Sequence, residues 1–275
     1  KEGPAMWETL FSWWDYDFMR RAFFAVLLIM PLFALLGTMV VNNGMAFFSD
    51  ALGHSALTGV GIGVLLGLSE YSLVMVAFAV VFALLMNRIR HSRLSSTDTV
   101  IGVFSSCGIA LGLVILSRGG GFSKYQSLLI GDILSISRNQ LLVLAFTLVV
   151  VFLLWLLCFN RFHAVSISPS LARSKGIAVR LMDNLFVVII AVVVMMAIRW
   201  VGLLLINAML ILPAAAARNV ATNMRNYHVT ALVFSLFSGL TGLLLSYYNA
   251  VATGPLIVLV AAALFFGTFA MREKN

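Results

Sequence analysis

Nine long stretches of the chain run almost unbroken in Leu, Val, Ile, Phe, Ala and Met, near residues 22–41, 46–67, 72–87, 99–117, 140–159, 184–198, 201–217, 229–248 and 254–271. A bilayer core takes about 20 apolar residues of helix to cross, and inside it every backbone N–H and C=O must find a partner within the protein. Continuous apolar runs therefore mean spanning helices. A membrane strand would alternate apolar and polar positions, and none of these stretches does. The expected fold is all-α, a polytopic helical integral membrane protein with about nine transmembrane helices and eight as the lower count. Composition agrees, since a chain of 275 residues that is 62% hydrophobic and 10% charged lies outside the range of soluble domains. The segment YQSLLIGDILSIS, 125–137, is too short to span and reads as a re-entrant or partly buried helix.

The formal charge of +8 invites a nucleic-acid reading, but the basic residues are dispersed over short loops between apolar runs, where they set orientation instead. Arg88, Arg90 and Arg93 mark one loop, Arg161, Arg173, Lys175 and Arg180 a second, Arg218 and Arg225 a third, and Arg272 with Lys274 the C-terminal end. With nine spans these four groups fall on one side, which the positive-inside rule makes the cytoplasm, with the N-terminus outside. Arg20, Arg21, Arg118 and Lys124 then lie on the opposite side, against the rule. The stretch WETLFSWWDYDFMRR, with Trp7, Trp13 and Trp14, reads as part of an interfacial helix over 1–21 at headgroup level, ahead of a transmembrane domain over 22–275. KEGPA before Met6 reads as a tag remnant, and no cleavable signal peptide is evident because the first apolar run is long and more follow. Cys107 and Cys158 sit singly in apolar runs without CxxC spacing and are expected as small core residues.

A charge at the centre of a spanning helix costs about 2.5–3.5 kcal/mol, so polar groups there mark function. Asp50 and His54 stand one turn apart in MAFFSDALGHSALTGVGIGVLLGL. At i and i+4 they share a helix face, and an imidazole with a carboxylate makes half of a site for a divalent transition metal. The competing reading is an Asp–His hydrogen bond that only orients helices. Asp132, in the short segment, either extends a metal path or bonds backbone freed by an irregular helix, with the structural role slightly favoured. Asn207, in a run that Pro213 is expected to kink, offers a side-chain oxygen to a hard cation. Gly59, Gly63 and Gly67 recur at four-residue spacing, a small-residue stripe for close helix packing. His91 and His163 fall in basic loops and His228 at the start of a run, where solvent or the interface accounts for them. Arg199 and Trp200 fit interfacial anchoring. Between the fifth and sixth runs Ser168 can cap, Pro169 suits the first helical position and Gly176 the position past the end, so SPSLARSKG is expected as a short surface helix.

FSDALGHSALTGVGIGVLLG resembles the G-D-A-L-S-H-A-x-L-P-G segment of the permease subunits of ABC-type zinc and manganese importers. LLIGDILSIS is similar to that family's F-G-D/N/S-I-L-x-V segment, and SISPSLARSKGI to its D-P-x-L-A-x-x-x-G loop. INAMLILPAAAAR resembles the stretch ending P-A-A-T-A-R, and ATGPLIVLVAAALFF the closing span. Asn42 and Asn43 stand where the family commonly has a basic pair, Gly53 stands for Ser and Thr58 for Pro, with Asp50 and His54 left in place. The resemblance implies an importer in a bacterial inner membrane, built from two copies of this permease and two cytoplasmic ABC ATPase subunits. It implies an extracytoplasmic metal-binding protein as the feeder, Zn2+ or Mn2+ as transported substrate, and no permanently bound cofactor. It also implies that 168–176 is the coupling helix, with Ser168, Pro169, Leu171, Ala172 and Gly176 carrying the contact to the ATPase.

The chain is then a transport subunit rather than an enzyme. RGGGFSKY, 118–125, does not match G-x-x-x-x-G-K-[ST], so hydrolysis is expected on a separate subunit. Zinc is favoured over manganese by the imidazole and by the likeness of DFMRRA and GHSALTGV to zinc-type members. A permease for a metal chelate such as a siderophore or cobalamin is the alternative, sharing the architecture without needing the Asp–His pair. An intramembrane protease would carry G-x-G-D or H-E-x-x-H, and neither occurs. A transported ion must also leave, so an incomplete coordination shell is expected. A proton on the imidazole competes with the metal, so uptake is expected to fall as pH drops toward about 6.

Overall fold

In the computed structural model, which describes residues 12–68, 70–91, 96–118 and 131–272, the apolar runs form helices and no strand occurs among those residues. In chain order the helices are α1 (Asp17–Asn42), α2 (Phe48–Leu65), α3 (Ser72–Arg90), α4 (Thr97–Arg118), α5 (Arg138–Ile167), the short α6 (Pro169–Ser174), α7 (Val179–Val201), α8 (Leu203–Val220), α9 (Met224–Asn249) and α10 (Thr253–Arg272). Nine of these have 18 residues or more, and eight of the nine are long and apolar enough to cross a membrane. The ninth is α2, whose apolar content is diluted by Ser49, Asp50, His54, Ser55 and Thr58. Both counts expected from the sequence therefore have a physical source in one helix.

Helix ends follow local chemistry. Ser137 caps α5, and Gln140 returns its side-chain oxygen to the Ser137 N–H at 2.8 Å, forming a capping box. At the start of α9 the Asn223 side chain accepts from Asn226 N–H at 2.8 Å. Pro31 and Pro213 lie inside α1 and α8 without ending them, as proline can where neighbouring helices satisfy the freed backbone. Gly202 alone separates α7 from α8.

The centre of the bundle is formed by α1 and α7, which carry buried side chains along most of their length. Helix α1 packs against α5, α8 and α9, and α7 against α2, α3 and α5. Helix α8 lies against α1, α9 and α10 and reaches α2, while α4 runs along α2 and also meets α3. Four helices thus surround α2, the long helix that carries Asp50 and His54. Apolar association in lipid rests on close packing and interhelical hydrogen bonds rather than on water exclusion, and α2 supplies both.

Several expectations change. The first spanning helix begins at Asp17, so the boundary drawn at residue 21 falls inside α1, where Asp17 pairs with Arg20 one turn on. Ahead of it Ser12–Asp15 is a single 3-10 turn with Trp13 buried and Trp14 exposed, and residues 1–11, with KEGPA and Trp7, lie outside the described residues. Cys107, expected in the core, is exposed on α4, because that helix is apolar on all faces and only some meet other helices. Trp200, expected at the interface, is 9% exposed. Of the segment 125–137, the part from Gly131 is described. It forms the 3-10 turn Ile133–Ser135, with Ile133 and Ile136 buried and the turn packed on α1 and α7.

Candidate functional site

Asp50 lies in the first turn of α2, where no side chain caps the helix. The first four N–H groups of a helix lack intrahelical partners, and the macrodipole favours an anion there. That lowers the cost of carrying a carboxylate at this position. His54 follows one turn later, its Nε2 3.4 Å from Asp50 Oδ2, and the two side chains are 26% and 38% exposed respectively. The other carboxylate oxygen, Asp50 Oδ1, accepts the Asn207 Nδ2–H from α8 at 2.6 Å. The amide orientation follows from the acceptor, since an ionised carboxylate only accepts. Asn207 Oδ1 is buried without a hydrogen-bond partner. Three of the four residues singled out for metal in the sequence, Asp50, His54 and Asn207, are thus brought together from two helices. Carboxylate, imidazole and amide oxygen form a mixed set suited to borderline divalent ions.

Asp132 stands apart. Its Oδ1 accepts from the Leu134 N–H at 3.0 Å and caps the 3-10 turn, the structural alternative of the two weighed. It lines a separate groove of about 260 Å3 with Val201, Leu205 and Thr253. Among the described residues no group of three His, Cys, Asp or Glu side chains gathers anywhere.

The glycine stripe is real for two of its three members. A Cβ on Gly59 would stand 2.8 Å from Met75 Cα, and one on Gly63 would stand 2.6 Å from Tyr71 Cβ, so α3 approaches α2 as closely as backbone allows. Gly67 is a correction. It lies past the end of α2 at φ +67° with open space around it, and its N–H bonds to Val64 O at 3.0 Å, so it terminates the helix. Two departures from the family pattern also find their reasons. A Cβ on Gly53 would run into the Leu203 side chain, and Thr58 Oγ1 donates to Gly108 O on α4 at 2.6 Å.

Helix α6 forms where expected. Ser168 Oγ accepts from Leu171 N–H at 3.3 Å, Pro169 opens the helix, and Gly176 at φ +75° lets Ile177 N–H return to Ala172 O at 3.0 Å. Ala172 is buried, Leu171 is 55% exposed, and α6 touches both α5 and α7. The first turns of α7 are fastened to the end of α3. Asn87 Nδ2 donates to Asn184 Oδ1 at 2.9 Å, Arg90 Nη2 donates to Asn87 Oδ1 at 2.9 Å, and His91 Nε2 lies 3.3 Å from Asp183 Oδ2. The hydrogen bond to Asp183 holds the His91 imidazole above its ordinary value, outweighing the opposite pull of burial.

One polar cluster has no counterpart in the sequence reading. His163 and His228, expected in solvent and at the interface, meet between α5 and α9 with Nε2 to Nε2 at 2.8 Å. His163 Nδ1–H donates to Phe159 O at 2.9 Å, so in the neutral pair its Nε2 accepts from His228 Nε2–H. His228 Nδ1 lies 2.9 Å from the Thr38 hydroxyl of α1, whose proton is also within reach of Leu35 O at 2.8 Å. The contacts tie α5, α9 and α1. The two histidines are 65 residues apart, and no local pattern pairs them.

Residues 15–272 match the family described as the ABC 3 transport family. The chain is 30% identical to the high-affinity zinc uptake system membrane protein ZnuB of Haemophilus influenzae, over 87% of this chain and 92% of that protein. It is 27% identical to the manganese transport system membrane protein MntC of Listeria monocytogenes, over 95% of this chain and 93% of that one. Among solved structures, PsaBC from Streptococcus pneumoniae in complex with Fab superposes with a TM-score of 0.83 at 26% identity, covering 96% of this chain and 95% of that chain. An inward-facing putative metal-chelate type ABC transporter superposes with a TM-score of 0.69 at 15% identity over 92% and 86%, a likeness of fold alone. A match that runs through nearly every helix, on a bundle with eight membrane-length spans, leaves one conclusion: the chain belongs to the ABC 3 transport family, as a multi-pass membrane permease of the ABC zinc and manganese importer type.

Proposed function

We propose that this permease carries a divalent transition-metal ion, zinc in preference to manganese, along a path that passes Asp50 and His54. The observation that supports it most is the mixed donor set on α2 and α8, partly open in a single chain and containing the unpartnered Asn207 Oδ1. A second copy related by a twofold axis would present the same donors from the other side. Two half-sites select an ion while leaving it free to depart. The imidazole inclines the set toward zinc.

Transport on this reading is driven from outside the chain. Two cytoplasmic ATPase subunits hydrolyse ATP, and an extracytoplasmic binding protein delivers the ion. Leu171 and its neighbours on α6 take the ATPase contact. Displacement of α6 passes into α5 and α7, and α7 packs on α2. Rigid-body movement of these helices opens the pathway alternately to each side.

Zinc and manganese accumulation, measured side by side in cells lacking the chain and complemented with wild type, Asp50→Ala or His54→Ala at matched membrane expression, tests the proposal. Loss of zinc accumulation in both variants is the expected result, and loss of manganese alone would transfer the assignment to that metal. Undiminished accumulation of both metals would sink the metal path and favour a chelate permease, which has no use for the pair.

A further inference from the structure

The N-terminal ends of α1 and α5 enclose a groove of about 410 Å3 whose lining includes Arg20, Arg21, Arg138, Asp17, Phe24 and Leu142. Its charge is unbalanced. Asp17 pairs with Arg20, whereas neither Arg21 nor Arg138 has a hydrogen bond or ion pair among the described residues, and Arg21 Nε is buried without a partner. A guanidinium does not shed its proton, so two uncompensated positive charges face the groove. Their placement opposes the helix field as well: Arg20 and Arg21 lie in the opening turns of α1 and Arg138 is the first residue of α5, where the macrodipole is already positive. Orientation by the positive-inside rule gives Arg20 and Arg21 no role, because they lie opposite the basic loops in the nine-span topology. An anion in the groove would compensate both Arg21 and Arg138 at once.

The rest of the groove is apolar and does not end at its rim. Phe24 is 46% exposed and Leu142 70%, and Leu142 begins a ridge of exposed side chains on α5 that continues through Phe146, Val149, Leu153 and Leu157. Steps of three and four residues keep that ridge on one helix face. At 1.5 Å per residue it runs about 22 Å, enough to follow the roughly 15 Å of hydrocarbon in one leaflet.

The geometry points to a binding site for an anionic phospholipid, with its phosphate between Arg21 and Arg138 and an acyl chain along the α5 ridge. Guanidinium groups take phosphate oxygens in a fork, which each planar arginine head supplies better than a point charge. A zwitterionic lipid would bring its own cation to a groove already in surplus. A free anion would leave the ridge unused.

Native mass spectrometry of the purified chain, incubated in mixed micelles with phosphatidylglycerol or phosphatidylcholine, reads this directly. The wild type should retain phosphatidylglycerol over phosphatidylcholine by about tenfold, the scale of a charge-assisted hydrogen bond. The preference should vanish in the Arg21→Gln/Arg138→Gln double variant and fall partway in Arg138→Gln, whose exposed position carries no fold-bearing contact. Excess inorganic phosphate should leave the lipid adduct in place. Equal retention of the two lipids by wild type, or phosphatidylglycerol retention unchanged in the variants, would overturn the site. Displacement of the lipid by inorganic phosphate alone would overturn it in favour of a simple anion site. Loss of binding-protein affinity in Arg138→Gln without any lipid preference would overturn it in favour of a contact with an acidic protein surface.

Discussion

Asn207 determines how Asp50 presents itself, because its Nδ2–H takes one carboxylate oxygen at 2.6 Å and leaves the other toward His54. A group that orients a metal ligand typically matters by about 10- to 100-fold in affinity. Asn207→Ala should therefore raise the metal concentration for half-maximal uptake by about tenfold while the rate at saturating metal changes little. An unchanged concentration dependence would reduce the bond to packing. His91 gives a pH signature at the polar cluster that joins α3 to α7. Its folded value lies above the ordinary 6.5 through the bond to Asp183, so the contact stabilises fully below 6.5 and is lost as pH rises through the folded value. The melting temperature of wild type should exceed that of His91→Ala at about pH 6 and converge with it by about pH 9. A difference that grows with pH would contradict the assignment. The juxtaposition of Asp50 and His54 was legible from residues alone, since i and i+4 share a helix face. Asn207 was legible as a polar residue in a span but not as the partner of Asp50, which lies 157 positions away.

At the scale of elements, close approach and chain reversal make opposite demands on glycine. Asn in place of Gly59 would meet the α3 backbone, an overpacking that costs about 1–3 kcal/mol. Asn in place of Gly67 enters open space with a left-handed φ that it tolerates at a cost of roughly 1 kcal/mol or less. Thermal unfolding in detergent should rank wild type and Gly67→Asn close together and Gly59→Asn well below. Equal losses would mean that α2 and α3 do not touch at Gly59. Spacing by four describes both positions equally, which is why the sequence alone joined them. Helix existence was legible because twenty apolar residues have few alternatives in a membrane, and α6 because Ser168, Pro169 and Gly176 each act on adjacent backbone. The start of α1 was misplaced because tryptophan at an interface and tryptophan packed on a neighbour look alike in a string. The bond between His163 and His228 needed α5 and α9 each to pack on α1, which no local rule contains.

Across the whole molecule, α6, α7 and α2 form one contiguous route from the surface helix to Asp50 and His54, the proposed metal donors. Leu171→Asp places a charge on the exposed apex of α6 without disturbing buried Ala172. Metal uptake and transport-linked ATP hydrolysis by the assembled importer should fall at least about tenfold, as when an apolar anchor leaves an interface, with the permease still present in the membrane at wild-type level. Wild-type uptake by that variant would place the ATPase contact elsewhere. The path itself is tested most directly in proteoliposomes holding permease, ATPase and binding protein, by ATP-driven entry of radiolabelled zinc and manganese through wild type, Asp50→Asn and His54→Ala. Zinc entry that collapses in both variants, while detergent unfolding temperatures stay close to wild type, is the expected result. Undiminished entry of both metals through both variants would contradict a metal path at Asp50 and His54.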